Sequence, residues 1–327
     1  MMRAVYCRAF ARLEALTVED VAAPTLKPGQ VLIDVHAAGV NFPDGLMVQG
    51  RYQVKPPLPF APGAELAGIV AAIGDGVTTV DVGDRVAAFS GTGGFAEQAA
   101  VPAAQVFRLP DGVDFTAAAG LLITYGTSYH ALEDRARLRA GETLLVLGAA
   151  GGVGLAAVEL GVLAGARVIA AASSDAKLAL ARARGAAETI RYSDEELRER
   201  IRQLTDGRGV DVVYDPVGGS TAIAAVKALA WGGRHLVVGF AGGDIPQIPA
   251  NLLLLKSAAS LGVLWGNALR ADPAHHAGNI AVLLAHLAAG RIRPAIDRIY
   301  PLDQAVAALE HVMERRAQGK VILSVRA

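Results

Sequence analysis

The chain has almost no cysteine, few aromatic residues and no net charge, and each shortage excludes something. Cys7 is the only cysteine among 327 residues, so neither an internal disulfide nor a cysteine-built zinc cluster can form. A chain so poor in thiols suits a reducing compartment, and a cytoplasmic location is expected. Lys plus Arg and Asp plus Glu number 31 each, so no bulk field draws the protein to nucleic acid or to an anionic membrane. The uncharged stretch 143–158 is glycine-rich and ends at Glu159, short of the ~20 apolar residues that cross a bilayer. The first ten residues hold no apolar core of signal-peptide length. A soluble protein without nucleic-acid or membrane partners is the expectation.

What is present is aliphatic. Hydrophobic residues make up 53% of the chain and aromatics only 5%, so the apolar mass lies in Ala, Val, Leu and Ile. That composition suits helices packed closely on a parallel sheet that is covered on both faces. The length suits two domains of roughly 100–200 residues.

Two textures divide the sequence. Up to about Ala119, short apolar or alternating runs (Val31–Val35, Ala67–Ile73, Arg85–Phe89, Phe95–Val101) are punctuated by Pro-Gly and Gly-Asp turns. This pattern predicts a β-rich, barrel-like domain. From about Gly141 strands and helices alternate: strands at Leu144–Leu147, Arg167–Ala172, Ala187–Ile190, Val210–Tyr214 and Arg234–Gly239, with helices between them. Ser193-Asp194-Glu195-Glu196 reads as a capping box opening a helix to Leu204. Such alternation predicts a parallel sheet with helices on both faces. Amphipathic helices at Ala277–Ala289 and Leu302–Arg316 and a strand at Val321–Val325 end the chain. The tail is inferred to return to the first domain, giving boundaries at 1–122, 123–264 and 265–327.

The chemistry concentrates at Gly148-Ala149-Ala150-Gly151-Gly152-Val153-Gly154, between a strand and a helix. A pyrophosphate needs backbone N–H groups at a helix N-terminus and no Cβ in the way, and glycines at this spacing provide both. A turn of small residues without a ligand is the bland alternative. The second strand then bears on which dinucleotide binds. An NAD site places Asp or Glu about 20 residues on, for the ribose 2′-OH. Here Arg167–Ser174 holds no acid, and Ser173, Ser174 and Lys177 follow. Hydroxyls and an ammonium at that edge suit the 2′-phosphate of NADPH. The serines also read as helix caps and Lys177 as a solvated side chain, while the nearby Asp175 keeps NAD in contention.

These segments resemble the medium-chain dehydrogenase/reductase superfamily in its zinc-free quinone oxidoreductase (zeta-crystallin-like) branch. The matching runs are Ala38-Gly39-Val40-Asn41-Phe42 with Asp44, Pro62-Gly63 with Glu65 and Gly68, Gly83-Asp84-Arg85-Val86, Leu122 to Thr127, the glycine loop, and Gly319-Lys320-Val321. Two positions depart from the branch signature, Glu159 where Gln is usual and Val162 further along the helix. The resemblance implies a GroES-like catalytic domain plus a Rossmann doubly wound nucleotide-binding domain, an α/β protein. Zinc-dependent members carry Gly-His-Glu and a cysteine where this chain has Ala64 and Asn41, so no metal ligand set is expected.

By the same resemblance Asn41 and Tyr52 line the nicotinamide and substrate cleft, with Tyr52 as hydrogen-bond donor or proton relay. An aromatic clamp is the equal alternative for Tyr52, and a turn-satisfying amide for Asn41. Thr127 falls on the nicotinamide ribose side, and Tyr192 beside the adenosine 2′-phosphate or at the rim of the core. Phe240 and Leu264 read as cofactor walls or ordinary core, and Lys320 as a further cofactor contact. A homodimer joined at an edge strand, Ala258–Leu264, is also implied. The function expected is NADPH-dependent hydride transfer to a quinone or enone. Reduction of the C=C bond of an enone or enoyl thioester, or NADPH binding without turnover, are the alternatives.

Overall fold

In the computed structural model, which describes residues 1–326, the chain opens with β1 (Met2–Tyr6), β2 (Thr17–Val21), β3 (Gln30–Val40), β4 (Glu65–Ile73), β5 (Arg85–Phe89), β6 (Gln98–Pro102) and β7 (Val106–Arg108). Next come β8 (Thr143–Leu147), β9 (Arg167–Ala172), β10 (Glu188–Arg191), β11 (Val210–Asp215), β12 (Leu229–Val237) and β13 (Ala259–Gly262). The strands β14 (Ile296–Pro301) and β15 (Lys320–Ser324) close the chain. Two compact units result: Met1–Ile123 with the segment from Ala268 onward, and Thr124–Asn267.

The first unit is built on a sheet of order β14-β15-β3-β4-β5-β7, with β6 also paired to β3. Inward residues alternate along β3, where Val31, Ile33 and Val35 are fully buried. They meet Leu66, Val70, Val86, Phe95 and, from the C-terminal segment, Leu309 and Val321 in one core. The last strand runs antiparallel to β3, with Val321 opposite Val40 and Ile322 opposite Gly39. Gly39 in turn lies opposite Glu65 of β4.

The second unit is a parallel sheet of order β10-β9-β8-β11-β12-β13, the doubly wound order in which the chain direction of winding reverses between β8 and β11. Strand β8 is buried over its whole length, which is why its sequence is an uninterrupted apolar run after Thr143. The α/β expectation, a β-rich unit plus a Rossmann unit, is met. Strand β13 lies at the edge of the sheet, as expected of the 258–264 region.

Some local expectations differ. The helix Leu197–Leu204 is capped by Glu196, whose side chain accepts the Glu199 N–H, and not by Ser193. Ser193 instead directs its hydroxyl to the Ser173 carbonyl at 3.3 Å. The C-terminal helix is shorter than its apolar pattern, Ala305–Met313, preceded by a 3-10 turn at Leu302–Gln304.

Glu159, a departure from the branch signature, has a structural use. It lies on the helix Gly152–Leu163, is 9% exposed, accepts the Tyr125 hydroxyl at 2.5 Å, and pairs with the Arg184 guanidinium at 2.6 Å. Burial and then the Glu159 charge push the Tyr125 phenol well above its ordinary range, so it stays a donor. Replacing Arg184 with Met should therefore cost about 3 kcal/mol, because a nearly buried carboxylate loses its cation. Glu159→Gln, which keeps an acceptor for Tyr125, should cost less. Urea unfolding of both variants measures the difference.

Candidate functional site

The strand β8 delivers the chain to Gly148, whose φ of +58° lies in the left-handed region that favours glycine. The loop is pinned by Ala149 N–H to the Ala171 carbonyl at 3.1 Å and by Gly151 N–H to the Gly148 carbonyl at 3.0 Å. Gly151 then caps the helix Gly152–Leu163 without any side-chain bond. The first N–H groups of that helix thus meet no capping side chain, the condition under which a helix N-terminus takes an anion. A Cβ on Gly154 would fall against the Gly148 carbonyl oxygen and 2.9 Å from the Ala149 Cα. Close packing of helix against strand therefore fixes glycine at that position.

Side chains of the same unit hold this loop from behind. Ser128 stands between the carbonyls of Thr124 and Val153, at 2.8 and 2.9 Å, and the Tyr214 hydroxyl at 2.8 Å. Thr127 is the half-buried neighbour of Ser128. At the end of β11, Asp215 accepts the N–H groups of Val217 and Gly218 at 2.8 and 2.9 Å and meets His235 at 3.0 Å. Val217 packs beside Gly148, and the Phe240 ring lies over Gly218, so that a Cβ there would be 3.0 Å from its edge. Phe240 and Leu264 are themselves 36% and 44% exposed, so neither is ordinary core.

At the end of β9, Ser173 is exposed, and Ser174 caps the helix Asp175–Ala183 without a side-chain bond. Lys177 stands half-buried in the first turn of that helix, and Tyr192 is half-buried against the core of the unit. A residue that the sequence did not single out joins them. Arg191 ends β10 in register with Ala172, and its guanidinium binds the Asp175 carboxylate at 2.9 Å. The only sequence signal was its place next to the end of the third expected strand, since its position beside Ser173 comes from the register of β10 on β9. Asp175, the acid that kept NAD in contention, is thus engaged by a cation.

The first unit holds a second constellation. Asn41 and Asp44, at the start of the helix Phe42–Val48, and Glu65 and Lys320 are 6%, 1%, 0% and 3% exposed. The Lys320 ammonium donates to Asn41 Oδ1 at 2.6 Å and forms an ion pair with Glu65. Asn41 Nδ2 donates to the Glu65 carboxylate at 3.0 Å and the Gly39 carbonyl at 3.2 Å, and Glu65 also accepts the Ile123 N–H at 2.9 Å. Asp44 Oδ2 accepts the Asn41 N–H at 2.8 Å. Tyr52, in the following loop, is half-buried against the core. Lys320, expected as a cofactor contact, is instead turned inward, since Glu65 would otherwise be a buried charge without its counterion. Asn41 likewise spends its whole amide on this cluster. Glu65 and Asp44 were part of matched segments but were not singled out, because burial is invisible in spacing.

An uncapped helix behind a glycine loop at the reversal point of a doubly wound sheet defines a dinucleotide-binding α/β protein. Comparison with known proteins narrows the class. Residues 27–111 match the profile of the alcohol dehydrogenase GroES-like domain, and residues 152–277 that of the zinc-binding dehydrogenases. The chain is 41% identical to quinone oxidoreductase-like protein 2 of Rattus norvegicus, over 96% of this chain and 90% of that one. It is 33% identical to human quinone oxidoreductase, over 99% and 98% of the two chains. A mycobacterial structure complexed with NADPH superposes with a TM-score of 0.93 at 31% identity, covering 99% of this chain and 100% of that one. The chain belongs to the medium-chain dehydrogenase/reductase superfamily, in its quinone oxidoreductase branch.

Lys320→Met should lower stability by about 3 kcal/mol, read by chemical denaturation, since it strands the Glu65 carboxylate in the interior. Gly154→Ala should fold but weaken dinucleotide binding by about tenfold or more, read by fluorescence titration, because the loop must open to admit the methyl group.

Proposed function

We propose that the chain is a zinc-independent, NADPH-dependent reductase of quinones or related conjugated carbonyls. The observation that carries the cofactor reading is the Gly148–Gly154 loop, with the uncapped helix behind it and, at the Ser173 edge, the Arg191 guanidinium paired with Asp175. NADPH, when bound, supplies a hydride. The pyrophosphate would lie on the N–H groups of Gly152 to Gly154. Ser173, Lys177, Arg191 and Tyr192 would take the 2′-phosphate, with Thr127, Phe240 and Leu264 along the rest of the cofactor. Charge-assisted bonds from ammonium and guanidinium favour a phosphate over a ribose hydroxyl.

Zinc independence is supported by the donor set. Zinc is held by thiolate, imidazole or carboxylate. Asn41 and Ala64 offer none of these, and the Asn41 carbonyl already accepts the Lys320 ammonium at 2.6 Å. These residues do not fit a zinc ion. An acceptor that is already conjugated suits such a site, because charge can move to an oxygen while hydride adds. Tyr52 is our choice of donor to that oxygen: burial, and then the Asp44 charge, hold its phenol above its ordinary range and keep it protonated.

Among the described residues no helix is long and apolar enough to cross a membrane. The single buried cysteine, Cys7, suits work in the cytoplasm. The edge position of β13 suits a homodimer formed there.

Rapid mixing with a quinone should bleach NADPH absorbance, whereas saturated alcohols with NADP should give no reverse reaction. Failure with every quinone, enone and enoyl thioester would sink the reductase reading and leave a nucleotide-binding protein without turnover. Lys177→Ala or Arg191→Ala should each weaken NADPH binding by about tenfold while barely moving NADH. Equal losses for both nucleotides would remove that residue from the phosphate role.

A further inference from the structure

A row of polar side chains crosses one face of the parallel sheet. Strand register sets Val213 of β11 opposite His235 of β12, and His235 opposite Ser260 of β13. Asp215, two residues past Val213, stands on the same face as His235. Val213 belongs to the core of the unit; Asp215 and His235 are buried beside it, while Ser260 reaches solvent at the sheet edge. His235 Nε2 meets Asp215 Oδ2 at 3.0 Å, and His235 Nδ1 meets the Ser260 hydroxyl at 3.0 Å.

The donors and acceptors of this row fix its direction. A carboxylate only accepts, so His235 Nε2 carries the hydrogen of its contact with Asp215. On the neutral ring Nδ1 then holds a lone pair, and the Ser260 hydroxyl donates to it. The other carboxylate oxygen is spent on the backbone: Oδ1 accepts the N–H groups of Val217 and Gly218 at 2.8 and 2.9 Å. Asp215 is thus held from two sides, by the turn on Oδ1 and by the imidazole on Oδ2. Without the imidazole N–H, Oδ2 would be buried with no donor. The carboxylate would then gain by rotating toward another donor, which loosens its hold on the turn.

That turn abuts the dinucleotide loop. A Cβ on Gly148 would stand 3.0 Å from the Val217 side chain and 3.6 Å from that of Pro216. The Val217 carbonyl accepts the Gly242 N–H at 2.7 Å and the Pro216 carbonyl that of Ala241 at 2.9 Å, so the turn also carries the segment that begins at Phe240. Asp215 ends β11, at the reversal of winding where doubly wound sheets take their ligands. A fully satisfied buried network holds one arrangement of its members. We propose that His235 is a positioning residue for the dinucleotide. Its imidazole, oriented by Ser260, keeps the Asp215 carboxylate on the Val217–Gly218 turn, and the turn keeps Gly148 and Phe240 in place for the cofactor. A chain of hydrogen bonds thereby joins the edge strand to the cofactor loop. This deepens, and rests on, the reading of the glycine loop as an NADPH site.

Fluorescence titration of the whole chain with NADPH, well below its unfolding midpoint, tests this. His235→Leu keeps apolar bulk but gives Asp215 no donor, and should raise Kd about tenfold. His235→Gln keeps an N–H for Asp215 and should stay within about threefold of the wild type. A role confined to stability would lower the unfolding midpoint of the variants without moving Kd. A folded His235→Leu variant with the wild-type Kd therefore overturns the proposal. Equal losses of affinity in the two variants also overturn it, because they assign the effect to packing of the ring. Nitrogen NMR of the wild type carrying isotope-labelled histidine covers the case of variants that do not fold. A hydrogen on His235 Nε2 is expected, and a ring bare at Nε2, which could give Asp215 nothing, overturns the proposal. A wild type that binds no NADPH overturns the dinucleotide reading and this role with it, whereas wild-type binding with an unmoved His235→Leu Kd overturns the positioning role alone.

Discussion

The ion pair between Lys320 and Glu65 is the constraint on which the first unit depends. Neither charge could be buried alone without a penalty of several kcal/mol. Together, with the Asn41 amide and the Ile123 N–H completing the shell, they are tolerated at 3% and 0% exposure. The pair also fixes the sheet. Strand β3 pairs with β15 on one side and β4 on the other, setting Val321 opposite Val40 and Glu65 opposite Gly39. A slip of one residue would turn Glu65 to the other face and leave both charges stranded. Stability is a weak reason to keep a buried ion pair. Specifying which strands meet, and where, is a stronger one here, because the two residues come from opposite ends of the sequence.

That pairing has an electrostatic consequence for its neighbour. A lysine spent on Glu65 leaves Asp44 buried with little net positive charge to face. Burial then governs the Asp44 carboxyl, which is held far above the range of an exposed aspartate, up to about 7. Asn41 joins the two effects: its side chain serves the ion pair, and its backbone N–H serves Asp44. The same residue therefore ties the structural core of the unit to its most perturbed acid.

Local periodicity made much of the architecture legible. Strand β9 has the limits its apolar run suggests, and β8 differs by one residue, since strands buried on both faces read as continuous apolar segments. The glycine loop was legible because backbone conformation and close approach act through the residue at each position, as at Gly148 and Gly154. Ser193 misled because a capping box is a statement about spacing, while its hydroxyl found the Ser173 carbonyl across the sheet edge. Lys320 misled for a deeper reason. It lies 279 residues from Asn41 and 255 from Glu65, so only the folded sheet reveals that its ammonium points inward. Arg191 was hidden in the same way, by a register between β9 and β10 that spacing does not print.

Arg191 also bears on how a dinucleotide edge can be prepared for phosphate under the proposed reading. Its contacts with Asp175 at 2.9 Å and Asp194 at 3.1 Å are exposed ion pairs, with the aspartate side chains 79% and 54% exposed. Such pairs contribute about 0–1 kcal/mol. Handing the guanidinium from Asp175 to a phosphate would therefore cost little, while the new charge-assisted bonds would form with a dianion at the same place. A ribose hydroxyl offers no comparable exchange, because it neither carries charge nor relieves the loss of the carboxylate. Discrimination would thus come less from a residue that repels NADH than from a cation held ready by weak, solvent-facing partners. Ser173 and Lys177 would then add donors to a site whose charge is already in place under that reading.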